Sequence, residues 1–207
     1  MRPNLRSEEF WHAATHGLGV VLGIIGMGVL YYAFQPASAL AQNAVWVYSI
    51  SAIVLFGAST LYHSVPISVL KERLRIFDHI SIYYLIAGTY TPVTLIVLEQ
   101  SRGWPIFYAV WGLALFGTFL KLSYTGRFET FSLLLYLIMG WMIVFDLDAL
   151  WEGLDSAGKT YLLAGGICYT VGIIFYVVRK IPYNHIIWHL FVLAGAICHW
   201  LLIRGLA

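Results

Sequence analysis

Two histidines, His185 and His189, stand four residues apart near the end of the sequence. On a helix this spacing places both imidazoles on one face, where they can bind the same metal ion. Ser59 and His63 have the same spacing, and Asp78 follows them. Three imidazoles leave one position of a tetrahedral Zn²⁺ ion open for water, and a nearby carboxylate can accept a proton. The sequence therefore contains the residue types of a catalytic zinc site.

Membrane-spanning helices must position these side chains. The chain has 207 residues, of which 60% are hydrophobic and 11% are charged. Soluble proteins have about 25% charged residues, so a soluble domain is excluded, and so is a disordered chain. Apolar stretches of the length that crosses a bilayer occur near residues 15–34, 44–65, 77–98, 104–122, 129–147, 159–178 and 184–203. We predict an all-α integral membrane protein, with a single seven-transmembrane helix bundle over residues 1–207.

The predicted loops differ in their content of lysine and arginine. Nine of these residues lie on one side of the predicted bundle: Arg2, Arg6, Lys71, Arg73, Arg75, Lys121, Arg127, Arg179 and Lys180. Three lie on the other side: Arg102, Lys159 and Arg204. Because cytoplasmic loops carry the excess of positive charge, we predict the N-terminus inside and the C-terminus outside. We expect the protein in the bacterial inner (plasma) membrane.

The first span has an alternative interpretation as a signal peptide. Residues 37–41 resemble a signal-peptidase site that follows an apolar stretch. The stretch is longer than a usual signal-peptide core, and Glu8 and Glu9 stand where such peptides carry positive charge. We therefore predict that this segment is retained as a true span.

The predicted spans bring the chemistry-bearing residues to one depth. His63 lies near the inner end of the second span, and Asp78 lies in the first turn of the third. His185 opens the seventh span, and His189 lies about 6 Å deeper at 1.5 Å per residue. Because imidazoles in an apolar span need partners, we predict that His63, His185 and His189 bind Zn²⁺. Asp78 and Ser59 are the predicted catalytic residues: Asp78 exchanges the proton of the zinc-bound water, and Ser59 hydrogen-bonds the water, the substrate or Asp78.

Several of these residues also have a structural interpretation. His63 could hydrogen-bond a loop carbonyl, Asp78 could cap its helix, and His185 could belong to a helix cap. His189 fits such an interpretation least, because it lies a full turn inside an apolar span. The remaining histidines receive other roles: His79 lies at the interface, His199 is structural, and His12 and His16 are neighbours that support the metal ligands.

The pattern resembles the haemolysin III branch of the progestin and adipoQ receptor family over nearly the whole chain. The matching residues are Glu8-Glu9, Thr15-His16-Gly17, Ser59-x-x-x-His63, Asp78, Gly88, Pro92 and His185-x-x-x-His189. His12 departs from this pattern, since the branch often has asparagine there. The resemblance implies seven helices with the N-terminus inside and zinc held by His63, His185 and His189. It also implies that Asp78 touches the zinc-bound water and that Ser59 is a polar partner. Alkaline ceramidases of the wider superfamily imply amide hydrolysis of a lipid.

These residues are compatible with more than one class of function. We predict a zinc-dependent hydrolase of an amide or ester lipid at the inner leaflet, acting in membrane lipid homeostasis. Membrane lipids are its predicted partners, and the net charge of +2 is too small to indicate nucleic acid. A membrane sensor or receptor with structural zinc needs the same ligands. A pore-forming haemolysin, or a proton or metal transporter, needs polar residues through the full thickness, and the outer half offers little beyond His199. The sequence specifies neither the substrate nor the oligomeric state.

Overall fold

The structure is a computed structural model that describes residues 5–33, 38–124 and 129–206, with only the backbone for residues 5–7. Its elements in these segments are α1 (Leu5–Ala33), α2 (Ala39–Ser64), α3 (Val69–Pro92), α4 (Gly103–Ser123), α5 (Glu129–Trp141), α6 (Leu147–Gly153), α7 (Ser156–Val177) and α8 (Asn184–Arg204). A π-helical turn, Val93–Val97, extends α3, and a 3-10 segment, Met142–Asp146, joins α5 to α6. Seven of the resulting segments are long and apolar enough to cross a membrane. The predicted all-α, seven-helix fold of a multi-pass integral membrane protein is therefore confirmed.

Polar side chains mark where several helices begin. Ser38 accepts a hydrogen bond from the backbone N–H of Ala41 at the start of α2, and Ser68 does the same for Lys71 at the start of α3. Asp155 caps α7 in the same way. These oxygen atoms satisfy backbone donors that have no partner inside the helix. The start of α8 is fixed differently, because the Asn184 side chain donates to the carbonyl of Phe175 in α7.

Consecutive helices from α1 to α5 pack against each other, and α8 packs on both α7 and α1. The third span is the most enclosed of the seven. Gly88 lets α3 approach α2 closely, since a Cβ atom at this position would collide with the Ser51 side chain. The bundle therefore brings α1, α2, α3 and α8 together, and these four helices carry all of the predicted site residues.

The fifth span is interrupted by the 3-10 segment, close to its predicted end at residue 147. The Tyr90 hydroxyl donates to the carbonyl of Gly140 and accepts from the N–H of Ile143. These two bonds satisfy backbone groups at the change from α5 to the 3-10 segment. The helical path then continues through α6, so the span extends over Glu129–Gly153.

Two helices begin eight or ten residues earlier than the hydropathy pattern predicts. α1 starts at Leu5 and α3 at Val69, because their first turns carry charged residues that a hydropathy window excludes but a helix accommodates at the membrane surface. Arg2 and Arg127 of the charge count, and Ala37 of the segment that resembles a cleavage site, lie outside the described residues. The orientation of the termini remains a prediction.

Candidate metal centre

Five histidine side chains from three helices meet at one end of the bundle. They are His12 and His16 on α1, His63 on α2, and His185 and His189 on α8. Four of the five are buried, and His185 is half-buried. A cluster of imidazoles inside an apolar bundle is costly unless its nitrogen atoms find partners. This end of the bundle is therefore the strongest candidate for a cation-binding site.

The three predicted metal ligands lie together in this cluster. The ring centre of His63 lies 5.4 Å from that of His185 and 5.1 Å from that of His189, and the rings of His185 and His189 are 4.7 Å apart. A tighter group forms with a different member, because ligand atoms of His12, His63 and His185 all lie within 4.8 Å of one another. This group can hold a metal ion. Sequence reasoning gave His12 only a supporting position.

The ring of His63 is oriented by a carboxylate. Its Nδ1 atom lies 3.0 Å from Oε2 of Glu9, and Lys71 Nζ donates to the same oxygen at 2.8 Å. A carboxylate only accepts, so His63 carries its hydrogen on Nδ1 and leaves a lone pair on Nε2. That Nε2 atom is buried and has no hydrogen-bond partner among the described residues. A histidine that donates one ring N–H to a carboxylate and keeps its other ring nitrogen open is typical of a metal ligand.

The ring of His189 is oriented by backbone and hydroxyl oxygen. Its Nδ1 atom lies 3.2 Å from the carbonyl oxygen of His12 and 3.3 Å from Oγ1 of Thr15. The Thr15 hydroxyl itself donates to the carbonyl oxygens of Trp11 and His12, so it can accept from His189. Both contacts place the hydrogen of His189 on Nδ1 and leave Nε2 free to bind a cation.

Ser59 and Asp78 form a polar pair beside the histidine cluster. Ser59 is buried on α2, one turn before His63, and its side chain lies next to the Asp78 carboxyl group on α3. The backbone carbonyl of Asp78 accepts from Ser81 at 2.6 Å, which fixes the first part of α3. Asp78 does not belong to the three-histidine group. The structure thus brings the two residues together, and their catalytic roles remain a prediction.

Two further histidines lie outside the cluster. His79 faces a different set of charges, because its Nδ1 lies 3.8 Å from Glu129, which also binds Lys121. His199 lies further along α8, where its ring packs 5.5 Å from that of Tyr169. The interfacial role of His79 and the structural role of His199 remain predictions. Both ring nitrogens of His199 are buried without a hydrogen-bond partner among the described residues.

Replacing Glu9 by glutamine is expected to weaken zinc binding about 10–100-fold, the usual effect of losing a group that orients a metal-ligating histidine. Glutamine is neutral, and its single oxygen accepts more weakly from His63 and Lys71 than the carboxylate does. Competition with a chromogenic chelator measures the zinc affinity. Glu8→Gln is the matched control, because it changes the neighbouring residue and leaves the Glu9 contacts intact. Equal affinity in Glu9→Gln and the wild type would contradict this role.

The sequence matches known proteins over most of its length. A family model described as haemolysin-III related matches residues 5–200. Hemolysin-3 of Bacillus cereus is 44% identical over 190 residues, covering 91% of this chain and 87% of that protein. The hemolysin-3 homolog of Bacillus subtilis (strain 168) is 42% identical over 190 residues, covering 91% and 89%.

A more distant relative comes from animals. The human monocyte to macrophage differentiation factor is 28% identical over 203 residues, covering 91% of this chain and 81% of the relative. The resemblance found in the sequence is thereby confirmed, and the bacterial relatives together with the seven spans support the expected location in a bacterial plasma membrane. The chain belongs to the haemolysin-III-related family of integral membrane proteins.

Proposed function

We propose that this protein binds Zn²⁺ in the histidine cluster and hydrolyses an amide or ester bond of a membrane lipid at the cytoplasmic leaflet. One observation carries the proposal. Imidazoles from α1, α2 and α8, two of them buried and the third, His185, half-buried, converge with ligand atoms within 4.8 Å of one another, and a serine–aspartate pair lies beside them. A purely structural cluster of histidines has no need of an adjacent carboxylic acid.

The donor set fits zinc. All of the donors are imidazoles, two of the rings are oriented by bonds through Nδ1, and His12 Nδ1 and His63 Nε2 are buried without a hydrogen-bond partner in the described structure. Imidazole nitrogen suits Zn²⁺ among the common divalent ions. When bound, zinc supplies a Lewis acid and water of lowered pKa.

Asp78 is the proton carrier of the proposed reaction. Its carboxylate can accept a proton from the attacking water and return it to the leaving nitrogen or oxygen of the lipid. The Ser59 hydroxyl lies next to this carboxyl group and can orient it by a hydrogen bond. The two residues come from α2 and α3, which pack closely at Gly88, so their relative position is fixed by the bundle.

A lipid-accessible space lies next to the cluster. An apolar cavity of about 260 Å³ is bounded by α1, α2 and α8, and Gly19, Gly23 and Gly26 form part of its α1 wall. Phe56 lines this cavity, and the same ring contacts His16 at 5.2 Å between ring centres. Exposed side chains of α1, such as Ile25, stand at its edge. An acyl chain in this cavity would lead its polar group toward the histidines.

A membrane sensor with structural zinc is the second candidate. It is favoured by the number of imidazoles, since closed structural zinc sites have four protein ligands whereas catalytic sites have three and a water molecule. The cluster contains more than the three histidines that a catalytic site requires.

Turnover of lipids by zinc-loaded protein tests the proposal. Purified protein in detergent is incubated with a panel of ceramides, other acyl amides and acyl esters, and a known ceramidase in the same detergent serves as the positive control. We expect release of fatty acid from at least one class, loss of that activity on chelation, and recovery when zinc is added. Protein with a full complement of zinc that cleaves nothing while the ceramidase works would favour the sensor.

A further inference from the structure

His12 has the surroundings of a metal ligand rather than of a supporting residue. It is 8% exposed, and its Nδ1 atom is buried with no hydrogen-bond partner in the described part of the chain. Its ring centre lies 4.7 Å from both His63 and His185 and 5.3 Å from His189. A buried polar nitrogen without a partner is unfavourable, and a shared cation would remove this cost.

The four rings of His12, His63, His185 and His189 have the mutual spacing of four imidazoles on one ion. Their six ring-centre separations all lie between 4.7 and 5.4 Å. Metal–nitrogen bonds of about 2.0–2.1 Å in a tetrahedral arrangement place the ring centres about 5 Å apart. Ligand atoms of His12, His63 and His185 already lie within 4.8 Å of one another, and the His189 ring, whose centre is equally near, has to turn to bring its Nε2 to the same centre.

The fifth histidine does not share this spacing. The ring of His16 stacks on that of His189, with ring centres 3.7 Å apart and planes only 13° from parallel. The lone pairs of imidazole nitrogens lie in the ring plane, so two parallel stacked rings cannot direct their nitrogens at the same ion. His16 therefore buttresses the His189 ring.

We propose that His12 is a direct ligand in this protein and completes a four-imidazole site with His63, His185 and His189. The inference rests on the zinc site of the proposed function and specifies its resting state. With His12 bound, the tetrahedral site has no open position. Water or substrate must then displace His12, so this residue restrains hydrolysis and strengthens metal retention. Sequences with asparagine at this position would lack that restraint.

X-ray absorption spectroscopy on zinc-loaded protein counts the imidazoles on the metal and tests this assignment. We expect four in the wild type, and three with one added oxygen in His12→Asn. We also expect the zinc affinity of His12→Asn to fall about tenfold or more, because even the loss of a group that only orients a metal ligand lowers the affinity about 10–100-fold. Any lipid hydrolysis by this variant should increase. His199→Asn, on α8 but away from the cluster, is the matched control and should retain four imidazoles, and His16→Asn tests whether the fifth histidine supplies a ligand instead.

Each outcome decides between the proposals. Zinc held by three imidazoles in the wild type overturns the role of His12 and leaves the proposed function standing, and so does an unchanged count in His12→Asn. An imidazole lost in His16→Asn but not in His12→Asn would assign the fourth position to His16. A wild type that takes up no zinc overturns both proposals. The wild-type spectrum alone counts the ligands should His12→Asn misfold, and His12→Gln gives a second variant.

Discussion

Wild-type protein loaded with zinc is expected to carry about one ion per chain, as a single tetrahedral site requires, and the double variant His185→Ala/His189→Ala almost none. The two residues share one face of α8, and their ring centres lie 4.7 Å apart. Removing both deletes every ligand that this helix can supply. Of the proposed ligands only His63 and His12 remain, and two imidazoles on separate helices do not hold zinc against dialysis.

Metal content is measured by mass spectrometry after dialysis, together with circular dichroism and gel filtration to confirm the helical fold. His199→Ala is the matched control, since His199 lies on the same helix but packs on Tyr169 away from the cluster. It should keep the wild-type zinc content. Full zinc occupancy in the folded double variant would contradict the location of the site.

The same experiment has a thermodynamic counterpart. Zinc that binds the folded protein and not the unfolded chain raises its stability by mass action. A chelator should therefore lower the unfolding temperature of the wild type and of His199→Ala, and leave that of the double variant unchanged. An equal response in all three proteins would mean that the chelator acts elsewhere.

The fold was accessible from the sequence because a bilayer imposes simple lengths on its helices. Seven apolar stretches predicted seven spans, and the structure has them. Local geometry was less accessible. The break between α5 and α6 depends on the Tyr90 hydroxyl from a helix far away in sequence, and a hydropathy pattern contains no such information.

The sequence predicted the depth of the site residues in the membrane, but not the direction in which each side chain points from its helix axis. Spacing placed His185 and His189 on one face, and span boundaries placed His63 at their level, which the structure brings together. His12 was missed as a ligand candidate because the direction in which α1 presents it depends on how α1 packs against α2 and α8. One signal was present, since His12 precedes His16 by one helical turn at the inner end of the first span.

Glu9 was also missed as a partner of the site. Its side chain reaches His63 and Lys71 across 54 and 62 positions of sequence. In the sequence it appears as one of two acidic residues ahead of an apolar stretch, a position that has an ordinary interpretation at the membrane surface. Only the tertiary contact distinguishes Glu9 from Glu8.

Asp78→Asn is expected to abolish lipid hydrolysis while leaving zinc bound. Asparagine keeps the size of the side chain and can still bond to Ser59, but it cannot take up a proton. Loss of a positioned general base lowers the rate by about 10²–10⁴-fold. The zinc content should match that of the wild type, because Asp78 is not one of the proposed ligands. Initial rates of fatty-acid release and the metal content are measured on the same preparation.

Two other variants separate the role of Asp78 from general effects of substitution. Ser59→Ala removes the hydroxyl that can bond to the carboxyl group and should reduce the rate about two- to twelvefold, as the loss of roughly 0.5–1.5 kcal/mol implies. Asp148→Asn changes an exposed aspartate on α6 and should leave the rate unaltered.

Zinc lost from Asp78→Asn would make Asp78 a metal ligand, and a wild-type rate in that variant would show that another group carries the proton. If Asp78 carries the proton and Ser59 orients it, the rate of hydrolysis falls most in Asp78→Asn and less in Ser59→Ala. The zinc content stays constant in both variants.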